Sequence, residues 1–300
     1  MFNSNVLIFH SVPFENDPDS EGLSADRFDC IVGFLNKFQQ NCGLGDLLPY
    51  GKVKCQKFSL TFDDGYTDNF EVALPILQKH KVSATFFIAS GYLNGGWMWN
   101  DGIIEAVTKT KVPFLDLTVL DYEKYSLETD VAKKKCISDL IGRIKYLDPA
   151  KGVDLATRIL DIADVPEPTH LMMTDDQVKL MHQAGMEIGG HTVNHPILTS
   201  IDKATARREI NENKEYLESL IGEPLHSFAY PNGKPGKDYA PEHVQLVKEA
   251  GYRCAVSTAW GRVNKNSDPL QLPRFTPWDK KLWKFMLRLW LQPGDKVDRV

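Results

Sequence analysis

Alternating and continuous apolar stretches predict strands and helices early in the chain. Residues 58–62 alternate apolar with polar side chains, which is the two-residue period of a β-strand. The run 84–89 is almost continuously apolar, as in strands that are buried on both faces of a parallel sheet. Between them, residues 69–80 have apolar positions at helical spacing despite Pro75. Strand, helix and strand at this spacing predict a βαβ unit.

The same alternation continues through most of the chain. Further strands are predicted at 6–9, 186–188, 227–230 and 255–257, and further helices at 24–38, 174–185, 203–220 and 241–250. Ser24 and Thr174 stand where helix N-caps are expected. This order predicts an α/β fold, either a (β/α) barrel or a doubly wound sheet, with chemistry at the carboxyl ends of the strands.

One segment, about 97–170, does not follow this alternation. It is polar and helix-rich, with its clearest amphipathic helix at 132–144 and at most one short strand at 117–120. Because the segment lacks a set of strands of its own, we interpret it as a helical insertion within a single domain, 1–277, rather than as an independent domain.

Composition narrows the class of protein. The 300 residues carry a formal net charge of −5, which gives no support to nucleic-acid binding. No apolar run approaches the length of a transmembrane helix. No Cys-x-x-Cys pair occurs, so neither a disulfide framework nor a cysteine zinc site is indicated. Residues 1–10 lack the features of a signal peptide, so we expect a cytoplasmic protein, although a chain whose leader had been removed would look the same.

Two adjacent carboxylates follow the strand at 58–62. Asp63 and Asp64 leave a strand in different directions, so one could bind a metal ion while the other takes a proton. Gly65 permits the turn that exposes them. Asp-Asp-Gly is also a common turn-forming triplet, so these residues alone leave both interpretations open.

Two histidines follow the strand at 186–188 and a pair of glycines. If the segment turns helically, His191 and His195 project from one face, as the histidines of zinc-binding helices do. Together with one aspartate of the 63–64 pair they would form a three-ligand catalytic zinc site that keeps a position for water. The second aspartate could then act as general base for that water.

The segments Thr61-Phe-Asp-Asp-Gly65 and His191-Thr-Val-Asn-His195-Pro resemble the first two motifs of the polysaccharide deacetylase family, the NodB-homology domain of the carbohydrate esterase type. The resemblance covers roughly residues 5–275 and implies a distorted (β/α) barrel of about seven strands. It implies that Asp63 is the base and that Asp64, His191 and His195 hold a divalent metal. Zinc is the default for this set, and cobalt, nickel or manganese could also occupy it.

The third motif of the family is only partly present, at 228–233. Ala229 stands where the family commonly has an arginine that steers the base. Arg274 is the best replacement for that arginine. The resemblance also implies that the backbone N–H after Pro231, which belongs to Asn232, contributes to an oxyanion hole.

The later family motifs, including the histidine that protonates the leaving amine, are not visible. His10 ends the first predicted strand and is our candidate for this acid, with a hydrogen-bonded histidine on the barrel rim as the alternative. Trp99 is a candidate for a wall of the substrate site, although packing tryptophans are more common.

Residues 278–300 are interpreted as a C-terminal amphipathic helix and tail. The helix at 280–291 has a broad apolar face and a basic stripe, which either packs against the barrel or lies in a membrane interface. The apolar face is predicted at Leu282, Phe285, Met286, Leu289 and Trp290, and the basic stripe at Lys281, Lys284 and Arg288. Membrane contact would place the protein at the inner membrane surface.

These features predict a metal-dependent hydrolase that removes an N-acetyl group from an N-acetylated sugar or glycan. The substrate could be a lipid-linked sugar of surface-polysaccharide assembly. The alternatives are a related amide hydrolase, either a deformylase or a cyclic amide or imide hydrolase, and a non-catalytic glycan-binding relative. Asp63 argues against the last, because a protein without turnover has no need of a base.

Overall fold

The computed structural model describes residues 4–13, 23–47, 56–277, 279, 281–291 and 297–300. The chain divides into two compact units. The first comprises Met1–Leu93 with Met173–Val300, and the second comprises Asn94–Met172.

Strands and helices alternate along the described chain. The strands are β1 (Asn5–Phe9), β2 (Gln40–Asn41), β3 (Lys57–Phe62), β4 (Thr85–Ile88), β5 (Phe114–Asp116), β6 (Lys124–Ser126), β7 (Glu187–Gly190), β8 (Ser227–Ala229), β9 (Cys254–Trp260) and β10 (Leu272–Arg274). The helices are α1 (Ala25–Phe38), α2 (Leu74–His80), α3 (Trp99–Lys109), α4 (Asp130–Ile144), α5 (Pro149–Ala163), α6 (Asp175–Gln183), α7 (Lys203–Ile221), α8 (Pro241–Glu249) and α9 (Leu282–Trp290).

The first unit contains a nearly closed barrel of parallel strands. The order around the barrel is β1-β3-β4-β7-β8-β9-β10, and β2 pairs with β3 outside this path. A parallel bridge between Leu7 and Phe275 joins the last strand to the first. There the Ile8 N–H donates to the Phe275 carbonyl at 3.0 Å, and the Phe275 N–H donates to the Val6 carbonyl at 2.7 Å. The (β/α) barrel of about seven strands is therefore confirmed.

Apolar clusters fill both faces of the barrel wall. Outside, Phe9 and Phe62 stack with ring centroids 5.2 Å apart, and Phe28 of α1 packs edge-on against both rings. A second buried cluster combines residues of β1, β4, β8, β9 and β10 with residues that follow β2 and β9, and it includes none from the α-helices. This second cluster is the inner core, because successive residues of a strand point to opposite faces of the sheet. Burial on both faces explains why three of the four residues of β4 are apolar.

The closing strand β10 was not predicted from the sequence. It has only three residues and includes Pro273, and its register against β9 is irregular. Proline and short length are both weak strand signals. Its last residue is Arg274, so the missed strand bears directly on the site.

The second unit contains α3, α4, α5 and a small antiparallel sheet of β5 and β6. The predicted strand at 117–120 is wrong, because Thr118–Leu120 forms a 3₁₀ turn between β5 and β6. The expectation that this segment lacks a set of strands of its own is also wrong, because β5 and β6 pair with each other. Each strand has three residues, which is too short for alternation to show. The unit has its own apolar core, against which the partly buried Trp99 packs.

The predicted helix boundaries hold closely, with differences in detail. Thr174 caps α6 through a hydrogen bond from the Gln177 N–H at 3.2 Å. Ser24 occupies the N-cap position of α1 but makes no side-chain capping bond. Pro75 is tolerated because it lies in the first turn of α2, after a π-helical segment at Asn69–Ala73.

The C-terminal helix α9 packs its predicted apolar face into the core of the first unit. Phe285 and Leu289 are buried in the main apolar cluster. Trp290, which was assigned to the same face, is 75% exposed, because it lies at the last position of the helix. No helix in the described ranges is long and apolar enough to cross a membrane.

Candidate active site

The predicted site residues meet at the carboxyl ends of the barrel strands. Asp63 and Asp64 directly follow β3, and His191 directly follows β7. Arg274 is the last residue of β10, and His10 follows β1. Parallel strands of a barrel end at the same rim, so residues far apart in sequence become neighbours there.

Asp64 and the two histidines converge on one point. The Asp64 Oδ1 atom lies 3.4 Å from His191 Nε2 and 3.4 Å from His195 Nε2. Asp64 Oδ1 is buried and has no hydrogen-bond partner in the structure. A buried carboxylate oxygen without a partner is costly unless something else binds it. One ligand atom from each of these three residues lies within 4.8 Å of the other two, which is close enough to hold one metal ion.

The spacing and chemistry of these three residues fit a divalent metal ion. Zinc–ligand bonds of about 2.0–2.1 Å at tetrahedral angles place neighbouring ligand atoms about 3.4 Å apart. The His191 Nδ1 atom is 2.7 Å from the Ala229 carbonyl oxygen, which can only accept a hydrogen bond. His191 therefore carries its proton on Nδ1 and presents Nε2 toward Asp64, as metal-binding histidines do.

Burial and the neighbouring charges set the protonation of the three residues. Burial would raise the pKa of Asp64, but the imidazoles of His191 and His195 hold it well below its usual value. Burial would lower the pKa of His191, but Asp64 raises it above the ordinary value. Burial lowers the pKa of His195 to about 4. An ionised carboxylate and a neutral imidazole are the forms that bind metals.

The segment His191–His195, which we call the histidine loop, is not helical. Thr192 and His195 adopt left-handed conformations, with φ of 64° and 49°. The helical turn that would place both rings on one face is therefore wrong. Instead, the two left-handed residues turn the backbone so that the imidazole centroids lie 4.7 Å apart.

Asp63 pairs with Arg274 rather than with the two histidines. The Arg274 Nη1 and Nη2 atoms donate to the two Asp63 oxygens, each at 2.7 Å. Arg274 also donates to the Ser257 carbonyl at 2.9 Å and to the Thr61 hydroxyl at 3.2 Å. Only 3% of Asp63 and 1% of Arg274 is exposed. Burial would raise the pKa of Asp63, but the guanidinium holds it below the usual value, so the carboxylate is ionised at neutral pH.

His10 and Asn232 lie at the ends of two other barrel strands. The His10 imidazole is exposed, and a positive charge on it would lower the pKa of both Asp63 and Asp64. The His10 carbonyl accepts a hydrogen bond from Asn69 Nδ2 at 2.8 Å. Asn232, in the turn after β8, has φ of 56°, and its carbonyl accepts from the Thr258 hydroxyl at 2.8 Å.

Some residues that support the site were not found from the sequence. Ala229 acts through its backbone carbonyl, which no side-chain motif reveals. Glu209 and Asn213 lie buried on α7, which looked like a charged surface helix. The available signal was their place on the stripe that also carries Ala206, Ile210 and Leu217.

The family model of the polysaccharide deacetylases matches residues 50–133 and 152–255. The chain belongs to the polysaccharide deacetylase family. Members of this family are hydrolases that act on N-acetyl groups.

Known relatives agree with this family assignment. The chain is 21% identical over 273 residues to YxkH of Bacillus subtilis, a protein named as a polysaccharide deacetylase, covering 90% of this chain and 69% of YxkH. It is similar in fold to the deacetylase PplD of Streptococcus pyogenes, with a TM-score of 0.62, 18% identity and coverage of 95% of this chain and 97% of PplD. It is also similar to IcaB of Ammonifex degensii, with a TM-score of 0.60, 16% identity and 98% coverage of both chains.

Proposed function

We propose that this protein is a metal-dependent hydrolase that removes the N-acetyl group from an N-acetylated sugar or glycan. The observation that carries the proposal is the separation of the two adjacent aspartates. Asp64 faces two imidazoles that have metal-ligand spacing, and Asp63 is held by both arms of Arg274. Membership of the deacetylase family supports the same reaction class. The fold neighbour PplD was solved in complex with acetate, which is the product expected from this reaction.

In this proposal Asp64, His191 and His195 hold the metal, with zinc as the default and cobalt, nickel or manganese as alternatives. The bound metal would polarise the acetamide carbonyl and acidify the attacking water. His191 keeps its orientation through the Ala229 carbonyl, so its ring need not reorganise during the reaction.

Asp63 is the general base that takes the proton of the attacking water. A carboxylate has about four lone-pair sites, and the two Arg274 contacts leave others able to accept that proton. Arg274 keeps the base ionised and fixes its direction. The backbone N–H of Asn232 stabilises the negative charge that develops on the carbonyl oxygen. His10 follows β1 at the same rim and is exposed to solvent, and in this proposal it donates a proton to the leaving amine.

Helix α9 adds a membrane contact to the proposal. Four apolar residues of its outer side are exposed, and Lys281 and Lys284 beside them are exposed as well. The exposed fractions are 58% for Trp283, 48% for Leu287, 75% for Trp290 and 62% for Leu291. Exposed tryptophans next to lysines are typical of helices that lie on anionic membranes. Such contact suits a cytoplasmic enzyme that acts on a lipid-linked sugar at the inner membrane surface.

Vesicle flotation tests this contact separately from catalysis. The wild-type protein is expected to float with vesicles of anionic phospholipid, and a Trp283→Ser, Trp290→Ser double variant is expected to stay behind. Vesicles of neutral phospholipid are the control for charge. Equal behaviour of the two proteins would remove the membrane contact from the proposal.

Acetate release tests the proposed reaction. The substrates are N-acetylglucosamine oligomers of increasing length and a lipid-linked N-acetylated sugar, each with and without a chelator. We expect acetate release that the chelator abolishes and added zinc restores. Parallel assays with formamides and cyclic imides cover the rival amide hydrolases. Turnover of those compounds without acetate release from any glycan would replace the proposed function by the rival.

A further inference from the structure

The histidine loop is anchored on one side by a single helix. Two non-glycine residues in this five-residue loop have left-handed backbone, which is strained and persists only where the surroundings hold it. Glu209 and Asn213 of α7 supply such contacts. They are four positions apart, so their side chains lie on the same side of the helix.

Glu209 directs its entire carboxylate at the loop. Its Oε2 accepts hydrogen bonds from the backbone N–H groups of Val193 at 2.9 Å and Asn194 at 2.8 Å. Its Oε1 accepts from the Asn194 side-chain amide at 2.8 Å. Glu209 is only 8% exposed. The loop thus satisfies a buried carboxylate, and the carboxylate in return fixes the turn between the two histidines.

Asn213 holds the loop at its first residue. Its Oδ1 accepts from the His191 backbone N–H at 3.0 Å, while its Nδ2 donates to the Ile88 carbonyl and to the Ser90 hydroxyl, each at 2.9 Å. Asn213 is completely buried. One amide therefore ties the start of the histidine loop to the end of β4.

The opposite side of the loop is held by the segment after β4. The N–H groups of Ser90 and Gly91 donate to the carbonyls of Thr192 and Val193 at 3.3 and 2.9 Å. A side chain at Gly91 would place its Cβ 2.8 Å from the Val193 carbonyl oxygen, so only glycine allows this approach. The histidine loop is therefore clamped between α7 and the end of β4.

We propose that Glu209 and Asn213 are positioning residues that set the metal affinity of the Asp64, His191 and His195 site. This inference rests on the proposed function in that it takes these three residues to bind a metal. Neither residue reaches the converging ligand atoms. Each acts through the backbone that carries the histidines, and partners of this kind typically contribute 10–100-fold to metal affinity, so an effect of about that size is expected here.

The experiment measures the zinc affinity of metal-stripped protein by competition with a chromophoric chelator, with no substrate present. Glu209→Gln keeps the size of the side chain but removes the negative charge to which the backbone N–H groups of Val193 and Asn194 and the Asn194 side-chain amide donate. We expect its zinc affinity to fall about 10-fold, with Asn213→Ala lower by a similar factor. Glu212→Gln, at an exposed position on the same helix, is the matched control and should bind like the wild type.

Rescue separates positioning from general stability. Adding Asn194→Asp to Glu209→Gln restores donor and acceptor across the contact, so the double variant should recover most of the affinity. Asn194→Asp alone sets two carboxylates against each other and should bind more weakly than the wild type. This cycle isolates the pairwise coupling. Cobalt-loaded protein gives a second readout, since a displaced histidine changes the visible absorption of the ion.

Folded Glu209→Gln protein that binds zinc within about twofold of the wild type would overturn the inference, because such a difference is the scatter of uncoupled sites. A wild-type protein that binds no zinc would overturn it as well. Wild-type protein that binds zinc but releases no acetate would refute only the proposed function.

Discussion

The carboxylates at the two ends of the barrel, beside β7, differ in whether their hydrogen bonds are satisfied. At the amino end, the Glu187 carboxylate accepts hydrogen bonds from the Thr85 hydroxyl at 2.7 Å and the Ser227 hydroxyl at 2.8 Å. At the carboxyl end, Asp64 Oδ1 lies beside His191 and His195 and has no hydrogen-bond partner. The carboxylate at the amino end has its hydrogen bonds satisfied. At the carboxyl end, one carboxylate oxygen stays available to bind a ligand.

This difference separates stability from chemistry between the two ends of the barrel. An unsatisfied buried polar group costs about 1–3 kcal/mol, so it is retained where it has a use. In barrels of this kind the amino ends of the strands serve stability, and the carboxyl ends carry catalysis. Substitutions at the two ends of the barrel should therefore affect different measurements.

The largest expected effect is on catalysis at the carboxyl end. Asp63→Asn removes the proposed base, and kcat should fall about 10²–10⁴-fold, the usual contribution of a positioned base. Stability should fall too, since Arg274 loses its charged partner. Acetate release is measured on protein that circular dichroism shows to be folded. Unchanged kcat would remove Asp63 from the mechanism.

A smaller loss is expected when the partner of the base is changed. Arg274→Lys keeps the charge but not the two parallel hydrogen bonds, so the base stays ionised but loses its fixed direction. We expect kcat about 10-fold lower and nearly unchanged zinc affinity. Equal losses of zinc affinity and kcat would show that Arg274 supports the metal ligands rather than the base.

Glu187 supplies the matching test at the amino end. Glu187→Ala leaves the Thr85 and Ser227 hydroxyls without their acceptor, and the free energy of unfolding should fall by about 1–3 kcal/mol. Zinc affinity and kcat of the folded protein should be unchanged. Urea denaturation of this variant, with exposed Glu212→Ala as control, checks the first expectation. Loss of zinc binding would contradict the separation of the two ends.

The smallest expected effect is a pH dependence from Asp68, near the start of α2. Burial raises the pKa of Asp68 to about 6, against hydrogen bonds from Ser11 and Asn69 that lower it. The folded chain then keeps a proton that the unfolded chain loses near the ordinary aspartate pKa of 3.8, so this group weakens folding as the pH rises from about 4 to about 6.

Asp68→Asn removes this titration. The free energy of unfolding of this variant, relative to that of the wild type, should be higher at pH 7.5 than at pH 4.5 by about 1 kcal/mol or more. Urea denaturation of both proteins at the two pH values measures the difference. A constant difference across that range would show that Asp68 titrates normally.

The site residues that lie in short contiguous motifs could be predicted from the sequence. The aspartate pair directly follows β3, and the segment with the two histidines directly follows β7, and strand ends meet at one rim in a parallel barrel. The conformation of the histidine loop could not be predicted in this way, because tertiary contacts with Glu209 and Asn213 hold its two left-handed residues. Arg274 was named as the replacement for the family arginine that steers the base. Its strand, β10, was missed because a three-residue strand that contains Pro273 gives only a weak sequence signal.

Titration of metal-stripped protein with zinc, with acetate release as the readout, tests the central claim most directly. The substrate is the best one found in the glycan panel. The account predicts no release without metal, a rise to a maximum at one zinc ion per chain, and no rise for Asp64→Asn at the same zinc concentration. Full acetate release by the metal-stripped wild type would contradict it.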